Sequence, residues 1–195
     1  MSNGHGLLKA FKTIGFALIL GLNLTACGAG SEKWKEEVQL SDGKVIVVER
    51  ELVLESGGDE WAANRRGVKP KERFIRFTDT NGSGKLVEWR SIKNSPQTWP
   101  EIPLIFDRLN AEWTVFSAVA KAGGCLMYNK YTYQNGVWIE EKLPPTFEKR
   151  LTNLYIFQNE GLSYIDLNKK RENIIDYRNT RYIEVGPMHP NCKGL

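Results

Sequence analysis

From Trp34 onward, apolar side chains recur at every second position in short runs that end on turn residues, and this alternation limits the fold more than any other feature. A period of two places successive side chains on opposite faces, which suits a half-buried strand and not a helix. Trp34 to Leu40 is followed by Ser41-Asp42-Gly43 and the β-branched run Val45-Ile46-Val47-Val48, a pattern that predicts a hairpin. Arg73-Phe74-Ile75-Arg76-Phe77 turns through Asp79-Thr80-Asn81-Gly82-Ser83-Gly84 and returns as Leu86-Val87-Glu88-Trp89, which predicts a second. Strands are also expected at Leu104 to Phe106, Trp113 to Val119, Cys125 to Tyr133 and Val137 to Glu141, the last two joined by Asn135-Gly136, the strongest short hairpin signal in the chain.

Other stretches break the alternation. Residues 55–72 hold Gly57-Gly58, Asp59-Glu60, Arg65-Arg66, Gly67 and Pro70 with no sustained apolar period, so a long exposed loop is expected there. Pro96, Pro100 and Pro103 surround Trp99 in an extended connector that cannot lie in the middle of a sheet. A helix is expected only at Leu167 to Ile175, with a short strand at Tyr182 to Val185. Tyr155 to Asn159 echoes Tyr131 to Asn135, and Trp89, Trp113 and Trp138 recur at similar spacing, which suggests consecutive hairpin units. The expected fold is mainly β: an antiparallel hairpin meander or sandwich with one short C-terminal helix.

Residues 1–26 are different in kind. Lys9 and Lys12 precede an apolar stretch from Ile14 to Leu24, and the small residues Thr25-Ala26 precede Cys27. This is the layout of a secretory signal peptide, and the apolar stretch is about half of the ~20 residues a membrane-spanning helix needs. Leu24-Thr25-Ala26-Cys27 resembles the lipobox of bacterial lipoproteins. The resemblance implies that the Cys27 thiol takes a diacylglycerol, that the leader is cut before it, and that the mature chain is held on a membrane by covalent lipid. By similarity to lipoproteins of Gram-negative bacteria, Gly28 in place of Asp after the cysteine favours the outer membrane. The remainder is expected to divide into a short lipidated tether, 27–32, and a single mostly β exported domain, 33–195.

The exported part keeps 25 Lys and Arg against 23 Asp and Glu, a net +2 that gives no reason to expect a nucleic-acid partner. Cys125 and Cys192 remain once Cys27 is assigned to lipid, and in an oxidising envelope a disulfide between them is the favoured reading; a buried Cys125 with a free Cys192 is the alternative. Such a bridge would stabilise the fold by ~4 kcal/mol in the chain-entropy model. Only His5 and His189 are present, the first in the leader and the second in the tail, so histidine-based catalysis has little to rest on. His189 and Cys192 lack partners enough for a structural zinc site, and no metal or cofactor beyond the covalent lipid is expected.

Trp89, Trp113 and Trp138 fall in predicted strands and are expected to pack in the core. Trp61 in the charged loop and Trp99 in the proline connector are the better candidates for contact with a partner, along with Arg65 and Arg66. Ser91 to Trp99 distantly resembles the Asp-box turn of sialidase-type propellers, but Lys93 replaces its aspartate. Two functions follow as expectations. The first is a non-enzymatic binding or accessory domain, immunity-like in kind, that meets an envelope protein. The second is a carbohydrate-binding domain, or one that hydrolyses glycans with a pair of carboxylates.

Overall fold

The computed structural model describes residues 30–56, 67–79, 84–92, 99–120, 126–143, 146–156, 161–175 and 184–186. The fold is mainly β, as its alternation requires. β1 (Ser31–Gln39), β2 (Val45–Ser56), β3 (Val68–Thr78) and β4 (Leu86–Ile92) form one antiparallel meander, and β5 (Ile102–Leu109), β6 (Glu112–Ala120), β7 (Leu126–Gln134) and β8 (Val137–Lys142) form another. Three two-residue strands follow among the described residues. β10 (Tyr164–Ile165) adds to the first sheet beside β1 in parallel, and β11 (Glu184–Val185) pairs with β9 (Arg150–Leu151). The helix α1 spans Leu167–Ile175, within the stretch the sequence marks for it.

Both sheets turn their alternate apolar side chains toward a shared core. Val38, Val48, Ile75, Phe77, Val87 and Trp89 from the first pack with Phe106, Trp113 and Val115 from the second. Phe77 lies 4.7 Å from both Phe106 and Trp113, whose rings stack at 5.3 Å. Trp89 and Trp113 are buried and Trp138 packs partly buried against the same cluster, as expected of tryptophans in strands. The outer face of the second sheet is covered separately: Ile105, Phe116 and Ala118 pack under Phe147, Ile156 and Val185.

The two open sides of the sandwich are both bridged. On one, the Asn153 amide accepts from the Phe106 N–H at 2.9 Å and donates to the Phe106 and Gln39 carbonyls at 2.8 and 3.0 Å, so one side chain joins β5 to β1 as a strand residue would. On the other, Trp138 Nε1 donates to the Glu88 carbonyl at 2.7 Å, joining β8 to β4. Of the segment echoing Tyr131 to Asn135, Tyr155 and Ile156 lie in the stretch that closes the sandwich, outside any strand among the described residues, and residues 157–159 fall outside the described residues.

Strand direction sorts the connections. The turns at 40–44, 110–111 and 135–136 and the β3–β4 connection all leave from one end, because Asp107 near the β5–β6 turn accepts from Ser41, and Trp113 donates to Asp79 at 3.0 Å. The connections between β2 and β3, β4 and β5, and β6 and β7 leave from the opposite end, where β1 begins and Leu54 donates to the Gly30 carbonyl at 3.0 Å. The expected loop at 55–72 is shorter than its composition suggests. β2 runs to Ser56 and β3 starts at Val68, with Lys69 and Glu55 paired across the strands, and Pro70 is accommodated beside a register shift where its missing N–H does no harm. Pro103 sits at a similar shift on β5, an edge strand.

Candidate functional site

Strand β1 carries Trp34, Glu36 and Val38 on its inward face, and the middle one is a carboxylate with no exposure to solvent. It is satisfied from several directions. Trp34 Nε1 donates to it at 3.0 Å, Arg50 Nη1 at 2.9 Å and the Tyr155 N–H at 3.2–3.3 Å, with the Lys170 ammonium at 3.7 Å. Arg50 lies opposite Trp34 in register and sits over its ring. Lys170, from α1, also donates to the carbonyls of Glu37 and Asn153. Burial pulls the Lys170 ammonium below the ordinary lysine range, while Glu36 opposes that shift. The cluster is turned inward and ties β1 and β2 to the C-terminal segment through Tyr155 and Lys170, so it acts as a clasp.

A second polar group stands on the inner face of the other sheet. Glu101, just before β5, accepts from Asn129 Nδ2 at 2.8 Å, from the Tyr131 hydroxyl at 2.9 Å and from Ser117 Oγ. Register explains the convergence: Ser117 pairs with Asn129, and Tyr131 follows on the same face of β7. Burial and then the charge of Glu101 push the Tyr131 phenol far above its usual range, so it is a hydrogen-bond donor at any physiological pH. The Tyr131 ring meets Trp89 of the first sheet at 5.6 Å. Glu140 pairs with Tyr131 across β7 and β8 and adds a second carboxylate to the neighbourhood. Chemically this is an acceptor held by a hydroxyl, an amide and a phenol. It lies at the end of the sandwich where β1 begins.

Of the residues singled out in the sequence, Trp99 is placed at that same end, 41% exposed and two residues before Glu101. Trp61, Arg65 and Arg66 belong to the β2–β3 connection and lie outside the described residues, as do Cys27, Cys125 and Cys192; the expected lipid site and disulfide fall there too. The strands flanking the β2–β3 and β4–β5 connections nevertheless bring their attachment points to one end. Sequence reasoning missed Glu36, Lys170, Asp107 and Glu101. An acid at an inward position of an alternating strand, as Glu36 is between Trp34 and Val38, was the available signal. For Lys170 there was none, because its partner lies far away in the chain.

No protein-family description, curated protein or solved structure matches the chain.

Proposed function

We propose that the chain is a lipoprotein anchored in the cell envelope through acylated Cys27, at the outer membrane, with a β domain that serves a non-enzymatic binding or accessory role, immunity-like in kind. The observation that carries this reading is the sorting of connections. The long ones, with Trp99 and the stretch containing Trp61, Arg65 and Arg66, leave from the end where β1 begins, four residues after Cys27. At ~3.3–3.6 Å per residue that end stays near the headgroups, so an envelope protein partner is met at the membrane surface. Replacing residues 58–65 by a Gly-Ser segment of equal length, in cells crosslinked before extraction, is expected to remove the co-purifying envelope protein. An unchanged set of partners would refute the role of the loop. Intact mass of the extracted chain beside a Cys27→Ser variant tests the anchor.

The Glu101 group supports a second reading, a glycan-binding or glycan-hydrolysing domain, since a fixed carboxylate near an exposed tryptophan suits a sugar. A panel of peptidoglycan fragments tests it: binding or turnover lost in Glu101→Gln favours it, and neither in the unmodified protein removes it.

A further inference from the structure

The outer strands of the two sheets are not guarded alike. β5 carries Pro103 and a register shift, and the Asn153 side chain occupies both the N–H and the carbonyl of Phe106. β1 is paired in part by β10. β4 has neither a proline nor a shift, and it borders no further strand among the described residues. A long, regular edge left open in this way is a template for another strand. The ladder decides which residues it offers. The Asp79 N–H donates to the Lys85 carbonyl at 2.9 Å, and bound residues alternate along an antiparallel pair, so Val87, Trp89 and Ser91 turn their backbone groups to β3. Leu86, Glu88, Arg90 and Ile92 turn theirs to the open edge. Trp138 reaches the Glu88 carbonyl from β8, in agreement with this, and that oxygen keeps a second lone pair. The same four side chains are exposed on the outer face, Leu86 at 67% and Ile92 at 43%.

The order Leu86, Glu88, Arg90, Ile92 is complementary to its own reverse. We infer that β4 pairs antiparallel with β4 of a second copy of this chain, about a two-fold axis at Trp89, so that the first sheets of two molecules join into one. In that register Glu88 stands opposite Arg90 of the second copy and Leu86 opposite its Ile92, and symmetry repeats both pairs. Every outward N–H and carbonyl then meets an outward counterpart. Moving the axis by one residue either way sets Glu88 against Glu88 or Arg90 against Arg90, so the charges select a single register. The ion pairs made within each sheet continue into it. Arg76 on Glu88 at 2.6 Å and Glu72 on Arg90 at 2.8 Å give a row of alternating sign across the joint. The pairing depends on neither the lipid anchor nor the long connections.

Two differently tagged forms of the full chain, purified in mild detergent, test the pairing by mutual capture. The unmodified forms are expected to capture each other. In Glu88→Arg positive charges face each other at both pairs, and in Arg90→Glu negative ones do, so capture within either variant should fall several-fold. A copy of Glu88→Arg that meets a copy of Arg90→Glu has opposite signs at both pairs again, so mixing the two should restore capture. Leu86→Lys, which leaves both in-sheet ion pairs alone, should weaken it as well. Amide hydrogen exchange at Val87 and Trp89, protected by β3 in every variant, reads retention of the fold, while protection at Glu88 and Arg90 should follow capture. No mutual capture of the unmodified chain overturns the pairing. So does capture undiminished in all three variants, which would put the contact on another face, or a loss that mixing leaves unrepaired.

Discussion

Replacing Glu36 by Gln tests the buried clasp directly. The side chain keeps its shape but loses the charge that offsets Arg50 at 2.9 Å and Lys170 at 3.7 Å, leaving two cations in a site with almost no access to water. Removing one partner of a buried ion pair costs about 3–5 kcal/mol, because the uncompensated charge stays buried. Against a typical domain stability of ~5–15 kcal/mol this is a large share, and at roughly 2–4 °C per kcal/mol it should lower Tm by about 6–20 °C. Urea unfolding at pH 7 reads the loss. Lys170→Met separates the terms: in the Glu36→Gln background it removes one of the two stranded cations, so the pair should couple by at least about 1 kcal/mol in a double-mutant cycle. A pH arm gives a second check. Desolvation holds the folded Lys170 value below its unfolded 10.5, so the associated stability is present above 10.5 and lost as pH falls through the folded value. Part of the defect in Glu36→Gln should therefore recover as pH rises toward 10. A loss below about 1 kcal/mol, with no coupling to Lys170, would refute the reasoning.

Ala111 adopts φ of 69° in the β5–β6 turn, a region in which an L side chain costs ~1–2 kcal/mol, so Ala111→Gly should raise stability by roughly 0.5–1 kcal/mol in urea unfolding, and a loss would contradict the turn geometry. Tyr131 should contribute no phenolate absorbance until the protein unfolds, seen as an alkaline titration unchanged by Tyr131→Phe. Because its folded value is raised, the stability it supplies is full below pH 10 and drains away above it. For Glu51, burial raises the value, but hydrogen bonds from Arg76 at 2.6 Å and from Lys33, and the charges of both, bring it below the ordinary carboxylate range. Its contribution is present above pH 4.5 and lost as pH falls beneath it, so Glu51→Gln should flatten the acid limb of the stability profile.

The alternating runs made most of the strands legible, since one buried face is enough to fix which residues point inward. Asn135-Gly136 announced its hairpin because both residues accept positive φ, at 51° and 88°. The equivalent turn at Asn110-Ala111 carried no such signal, as alanine is not a residue that favours that conformation, and tertiary packing imposes it there. The composition of 55–72 suggested a loop, yet its outer residues pair as strand because neighbouring strands supply the ladder that local propensity lacks. Of the candidate site, Trp99 was legible as an exposed aromatic between prolines. The Glu101 group was not, because Ser117, Asn129 and Tyr131 converge on it only through register between β6 and β7.

The two ends of the sandwich divide stability from contact. At the turn end, Asp107 has no exposure and accepts from the Ser41 N–H and hydroxyl at 3.0 and 3.1 Å, from the Arg108 N–H at 2.8 Å and from Arg150, so the β1–β2 turn, β5 and β9 meet on one carboxylate. Asp79 joins the β3–β4 turn to Trp113 in the same region. A buried charge with that many donors tolerates little change, since removing any of them leaves an acceptor unpaid in a place water does not reach. The opposite end carries the attachment points of the β2–β3 and β4–β5 connections, and lengthening a loop costs only slowly growing closure entropy. Under the anchoring proposed above, a chain tied to a surface at that end can alter what it touches while the Asp107 cluster at the turn end stays unchanged. On the proposed contact role, substitutions at Trp99 itself are a matter of binding, and substitutions near Asp107 a matter of folding.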